Sequence, residues 1–413
     1  MKITPVKGTN DYLPADTALR DALQQKILTV YRAAGYERIT TPILEDAENL
    51  DKSEGGENLN LIFKVLKRGE KLEEALKTGD EKQLCDMGLR YDLTLPLCRY
   101  YACNRAFLPS PFKCIQTDRV YRAERPQKGR LREFVQCDID VLGDARPECE
   151  IELIYTTAKA LKALGFSQFT VHVNDRRVLR AVLTVCGFAV ESFDSVCISL
   201  DKLDKIGAEG VKAELLEKDF PTEAVDKLLA LFETAPTVEK VASFIGNKEL
   251  TASISSIIVS SKALAEGYEI DFDLTLIRGQ GYYTGTVFEI SMPGYRGAVA
   301  GGGRYDNLIG KFIGEQVPAV GFSIGFERIF GILKEEGRTV GDGRKRLGVI
   351  YDGDFTAALK DSEYLREEYD CALFERPKKF GKLLNTLEKN GFDGYIDLTQ
   401  KEIKLFADRE KKE

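Results

Sequence analysis

Histidine occurs once in this 413-residue sequence, as His172. That excludes any metal site needing two imidazoles, and a Ser-His-Asp triad could use only this residue, to which we assign no chemistry. No apolar run approaches the ~18 residues that cross a bilayer, and Met1-Lys2-Ile3-Thr4-Pro5 lacks the apolar core of a secretory signal. A cytoplasmic protein is expected. Nine cysteines, an odd number, include no C-x-x-C pair, so neither a disulfide framework nor a zinc ribbon is indicated and most are expected as small buried hydrophobes. No protein-bound metal site is expected. The phosphate-cradling pattern G-x-x-x-x-G-K-[ST] is missing too. Gly279-x-Gly281 followed by Gly285 has the spacing of a dinucleotide turn but runs into the strand-like TVFEI where that turn needs a helix. If this chain binds phosphate, arginines must hold it.

What is present is ordinary in bulk, 43% hydrophobic and 30% charged, enough for one large domain with smaller additions. Against a formal net charge of −7, one stretch is basic: Arg119, Arg122, Arg125, Lys128, Arg130 and Arg132 surround a single acid, Glu124, and the turn formers Pro126 and Gly129. Phe112–Tyr121 before it and Phe134–Leu142 after it alternate apolar and polar residues, predicting two half-buried strands joined by a basic loop. Guanidinium forks match phosphate oxygens in pairs, so this hairpin reads as a polyphosphate or nucleic-acid site rather than a solvated turn. Arg122, Arg278 and Arg328 fall at strand ends or a strand-helix junction. Converging on one pocket, they could neutralise a triphosphate and the charge developing at its α-phosphorus; singly, each could be a structural ion pair.

In chain order, Asp16 is expected to cap a helix reaching about Ala34, followed by a strand over 36–44 in which Pro42 suits an edge. Residues 45–88 are polar, with a helix around Glu70–Lys77. Leu89–Pro96 is expected as a strand ending in a turn before a helix. A helix from about Pro147 to Leu164 and a strand over 168–174 come next. A 3.6-residue period then runs from Asp175 to Gly267, broken near Gly187, Gly207, Pro221, Pro236 and Gly246, as a helical insertion. Strands over 268–277, 286–290 and 300–306 and a strand-to-helix passage over 321–329 complete a domain of residues 1–334. A polar linker, 335–346, leads to a small β-α-β-α-β domain, 347–413.

Five separated stretches then resemble, in order, the signatures of the histidyl form of the class II aminoacyl-tRNA synthetases. KGTNDYLP with Thr41-Pro42 is similar to motif 1, RAERPQKGRLREFVQCDID to motif 2 and GFSIGFERI to motif 3, while RGQGYYTGTVFE and AGGGRYD resemble the two histidine-specific signatures. LRYDLTLP and VNDRRVL look like the eukaryotic-type branch. The resemblance covers about residues 5–332. It implies an α+β fold: an antiparallel sheet with flanking helices and a helical insertion, plus a small α/β C-terminal domain resembling a shortened anticodon-binding domain. It further implies a cytoplasmic homodimer that activates histidine with ATP, Mg2+ accompanying the phosphates, and transfers it to tRNA(His). By resemblance Arg122 and Arg278 are catalytic, contacting the α-phosphate and the substrate carboxylate, with Arg130 and Arg328 also on ATP. Asp92, Thr94 and Gln136 would hold the amino end of histidine, and Asp140, Tyr282 and Tyr283 its ring; Arg125, Lys128 and Arg132 would meet tRNA. The family has Leu-Asp where this chain has Gln280-Gly281. The rival expectation is a non-catalytic paralogue that binds histidine and regulates ATP phosphoribosyltransferase. Such relatives commonly lose the motif 2 and RG arginines, both of which stand here. A general RNA-binding module has only the basic loop in its favour.

Overall fold

The computed structural model describes residues 3–51, 61–80, 83–126, 130–277, 281–338, 340 and 344–406. Contacts divide the chain into two units, Met1–Asp11 with Leu23–Arg338 and Tyr12–Ala22 with Thr339–Glu413.

The first unit is built on an eight-stranded sheet. In chain order its strands are β1 (Glu37–Arg38), then, after the short β2 (Leu44–Asp46), β3 (Phe63–Leu66) and β4 (Cys85–Leu89) of a separate sheet, β5 (Phe112–Tyr121), β6 (Glu133–Leu142), β7 (Thr170–Asp175), β8 (Glu269–Phe272), β9 (Thr286–Ser291), β10 (Ala300–Arg304) and β11 (Ala319–Gly325). They lie in the order β1-β5-β6-β11-β10-β9-β7-β8, antiparallel except for β1 with β5 and β7 with β8. The predicted hairpin is β5 and β6, paired over their whole length from Phe112↔Leu142 to Tyr121↔Glu133. Alternation sends Val135, Cys137, Ile139 and Val141 into the core. Their neighbours Gln136, Asp138 and Asp140 take the opposite face, across from Gly325, Ser323 and Gly321 of β11. Three polar side chains thus stand over small residues, and the sheet keeps an open floor.

Several boundaries differ from the sequence reading. The first helix is Pro14–Ala33: Pro14 opens it, where no amide donor is needed, and Asp16 sits in the first turn rather than at the cap. The expected strand over 36–44 is two short strands in different sheets. β1 is the edge of the large sheet, while β2 pairs with β4; Pro42, without an amide hydrogen, lies between them. The strand expected over Leu89–Pro96 ends at Leu89, because Asp92 Oδ1 accepts the amide of Leu95 at 3.2 Å and a helix, Thr94–Asn104, begins. β8 stops at Phe272, after which Asn174 Nδ2 donates to the carbonyls of Leu274 and Leu276, 3.1 Å each, and fixes the loop. The helical insertion is six α-helices between Arg176 and Leu264, with Gly187 and Gly246 closing helices at φ 98° and 67°.

In the second unit, β12 (Arg346–Tyr351), β13 (Asp370–Glu375) and β14 (Gly394–Asp397) form a parallel core, with β12 central. β15 (Glu402–Leu405), which the sequence reading did not contain, adds antiparallel to β14; all four of its residues are exposed, so no burial pattern announced it.

Candidate functional site

The open floor of the large sheet is the base of a cavity of about 450 Å³. Nine of the residues singled out from the sequence line it: Asp92, Thr94, Arg122, Arg130, Gln136, Asp140, Tyr282, Tyr283 and Arg328. Arg125 and Arg132 do not. Arg125 is exposed, and Arg132 ties the basic loop to the N-terminal lead-in, its amide donating to Gly8 O at 2.7 Å and its Nε to Glu124 O at 3.3 Å. Arg278 and Lys128 lie outside the described residues.

Three buried carboxylates, Asp92, Asp138 and Asp140, line the cavity. Asp140, 3% exposed, accepts a 2.6 Å hydrogen bond from Tyr305 Oη. Burial pushes its carboxyl up to about 7; the Tyr305 bond pulls it back, and the nearby Asp92 charge raises it. Asp92 is also pushed up by burial, opposed by the Leu95 amide, the Arg122 charge and the hydroxyl of Tyr282, whose Oη donates to Asp92 Oδ2 at 3.3 Å. Asp138, on the same face of β6 as Asp140, is held well above the usual carboxylate range by burial and by Asp140. Its Oδ1 is buried with no hydrogen-bond partner among the described residues, as is Gln136 Oε1, whereas Gln136 Nε2 donates to Ser323 Oγ at 3.1 Å. Unsatisfied buried acceptors facing a cavity suit a ligand that brings N–H donors.

Glycines make room for this wall. A Cβ on Gly321 would overlap Asp140 Oδ1, and one on Gly303 would stand 2.9 Å from Tyr283 Cδ1. Tyr282 meets Tyr283 edge-on at 5.0 Å and Tyr305 at 6.1 Å, so the aromatic side of the pocket is one packed group. Behind it, Arg304 is buried and grips Glu150 with two bonds, 2.6 and 2.7 Å.

Cations line the same cavity: Arg122, Arg130 and Arg328. Arg122 Nε donates to Tyr91 O at 3.1 Å, and its guanidinium lies over the Phe134 ring, 4.9 Å from its centre. Arg130 pairs with Glu124 at 3.4 Å, and Arg328 bonds Ala298 O. The hairpin carries Arg122 and Arg130, the start of the helix Phe326–Glu335 carries Arg328, and the β4 exit supplies the Tyr91 carbonyl that holds Arg122. Arg90, fully buried, fixes that exit: it pairs with Asp118 at 2.8 Å and donates to the carbonyls of Thr41 and Arg119, 2.8 Å each.

Sequence reasoning did not assign Asp138, Ser323 or Tyr305 to the site. Asp138 was findable, since it shares strand parity with Gln136 and Asp140; Tyr305 and Ser323 reach the wall through cross-strand register, which no local pattern encodes. Buried acceptors and guanidinium groups around one cavity fit a ligand carrying N–H donors joined to one carrying phosphates.

The sequence profile of the histidyl-tRNA synthetase family matches residues 8–329. The chain is 46% identical over 346 residues to a histidine–tRNA ligase of Leifsonia xyli subsp. xyli, covering 80% of each chain. It is 34% identical over 421 residues to a histidine–tRNA ligase of Christiangramia forsetii, covering 96% of this chain and 92% of that one. Among solved structures it resembles a histidyl-tRNA synthetase from Nostoc sp. PCC 7120, with a TM-score of 0.81 and 26% identity over 98% of this chain and 97% of the other.

Proposed function

The chain belongs to the histidyl-tRNA synthetase family, and from that premise we propose that it is a histidine–tRNA ligase. Histidine and ATP give histidyl-adenylate and pyrophosphate, and the acyl group then passes to the terminal ribose of tRNA(His). The observation that carries this reading is the cavity's lining: the buried carboxylates of Asp92, Asp138 and Asp140 and the guanidinium groups of Arg122, Arg130 and Arg328 bound one space of about 450 Å³.

In this reading the imidazole enters among the buried carboxylates, its N–H donating to Asp140 while Tyr283 meets the other nitrogen, with Tyr282 packed beside it. The ammonium group lies toward Asp92, Thr94 and Gln136. The substrate carboxylate oxygen attacks the α-phosphorus, the bond to the β-phosphate oxygen breaks, and pyrophosphate leaves with the electron pair. Arg122, with Arg278, stabilises the charge that gathers on the α-phosphate oxygens, each charge-assisted bond being worth roughly 1.5–3 kcal/mol; Arg130 and Arg328 hold the distal phosphates. Mg2+ enters with the nucleotide, as part of the substrate. Transfer follows when the ribose hydroxyl attacks the acyl carbon and AMP departs.

The basic loop, through Arg125, Lys128 and Arg132, meets the tRNA backbone, and the helical insertion covers the acceptor end. Residues 1–334 act as the catalytic domain and 347–413 as a shortened anticodon-binding-like domain after the 335–346 linker, in a cytoplasmic homodimer. LRYDLTLP and VNDRRVL support a eukaryotic-type site, although the relatives named above are bacterial. No helix among the described residues is long and apolar enough to cross a membrane.

Histidine-dependent exchange of pyrophosphate into ATP tests the reading. Exchange is expected with histidine and not with other amino acids. Folded protein that binds histidine but shows no exchange would return the chain to the regulatory-paralogue reading.

A further inference from the structure

The arginines of VNDRRVL have no part in the site described above. The helix Arg176–Cys186 starts with Arg176 and Arg177, carries Arg180 one turn later, and has no acid in its first turn. Aligned peptide dipoles make that end of a helix positive, so each cation there is disfavoured by a few tenths to about 1 kcal/mol. Asp175 caps this end, its Oδ1 accepting the Arg177 amide at 2.8 Å, and as one carboxylate it balances one of the three cations. They line a second cavity of about 170 Å³, bounded by Tyr282, Tyr283 and Thr284, to which Lys311 contributes a fourth cation from a different helix. Asp175 takes the Arg177 guanidinium at 2.6 Å. Arg176 is held below the usual guanidinium range, first by burial and then by the charge of Arg180, with Asp194 opposing. Like charges kept this close, around a void, suit an anion shared among them.

We propose that this cavity binds a phosphate group, supplied by the acceptor end of the tRNA. The proposal rests on the ligase reading. The volume is below the ~300 Å³ of ordinary small-molecule sites, so it admits a phosphate and not a whole nucleotide. Tyr282 and Tyr283 wall both cavities. A phosphodiester held by Arg180, Arg176 and Lys311 therefore stands one aromatic layer from the main cavity, where the terminal ribose must arrive. The same chemistry would fit the pyrophosphate released on activation, and the two sources separate in kinetics.

Arg180→Gln and Lys311→Gln, singly and combined, remove two cations contributed by different elements; Arg180 is exposed and Lys311 half-buried, and unchanged unfolding temperatures check the fold. The combined variant is expected to raise the KM for tRNA in aminoacylation about tenfold at low salt. The slope of log kcat/KM against log salt should become shallower by about 1–2, one per lost phosphate contact, while histidine-dependent exchange is unchanged. A raised KM for pyrophosphate in exchange, with tRNA kinetics intact, assigns the cavity to the free anion and retains the phosphate site. If the combined variant shows neither the tRNA effect nor the pyrophosphate effect, the proposal is overturned. If the unsubstituted chain shows no exchange, the ligase reading falls by itself. Calorimetric titration with inorganic pyrophosphate then decides the cavity: binding that disappears in the combined variant supports it, and equal binding or none overturns it.

Discussion

Replacing Tyr305 by Phe removes one oxygen and leaves the ring packed against Tyr282. The lost bond is the 2.6 Å donation to Asp140 Oδ1, the chief influence opposing the burial that lifts this carboxyl to about 7. A hydrogen bond to a buried charged acceptor is worth roughly 1.5–3 kcal/mol. At 1.36 kcal/mol per unit, the Asp140 pKa in the variant should therefore rise by about 1–2 units. The consequence has a definite sign. Histidine binding needs the carboxylate form to accept the ring N–H, so KM for histidine rises on the acid side of the Asp140 pKa. In Tyr305→Phe that limb should move about 1–2 units to higher pH, with KM returning toward the unsubstituted value near pH 9.5 or above. Stability follows the same linkage. Asp140 is raised in the fold, so its contribution is fully present below its unfolded pKa and is lost as pH climbs through about 7. The variant extends that loss upward, so its deficit should be small near pH 6 and reach about 1.5–3 kcal/mol above pH 9. Pyrophosphate exchange at varied histidine across pH, with urea unfolding at the two extremes, measures both. An acid limb that stays within about 0.3 unit of its original position, or moves to lower pH, refutes the reasoning.

Arg304→Ala leaves Glu150 charged and buried without its partner, and urea unfolding should show a loss of about 3–5 kcal/mol; a loss under about 1 kcal/mol would mean that the pair is dispensable. Gly321→Ala places a methyl group on Asp140 Oδ1, so KM for histidine should rise tenfold or more, whereas an unchanged KM would show that Asp140 is not in contact with histidine. Arg122→Ala should lower kcat/KM for exchange by about 10- to 150-fold, the equivalent of 1.5–3 kcal/mol, and an effect below threefold would remove Arg122 from the transition state.

The hairpin was legible residue by residue because alternation at period two is a local signal, and one buried face fixes it: β5 spans the expected Phe112–Tyr121. The insertion was legible because its breakers, Gly187, Pro221 and Gly246, stand at helix ends in the fold. The strand expected over 36–44 split because pairing, not propensity, decides which sheet a short segment joins. No local pattern marks Arg90 as structural, yet it is a fully buried strut, because its partners Asp118, Thr41 and Arg119 are brought to it only by the fold.

The linear order of residues fixed the chemistry on offer: one histidine, no phosphate-cradling glycine loop, and arginines grouped around a predicted turn. It also fixed the parity that puts Gln136, Asp138 and Asp140 on one face. Tertiary pairing decided what those groups confront. Register set Gly321 beside Asp140 and brought Tyr305, 165 residues away in the chain, to its carboxylate. Burial then moved that carboxyl from its ordinary value to about 7. A pKa depends on the solvent and charges around a group, and only the folded chain determines those.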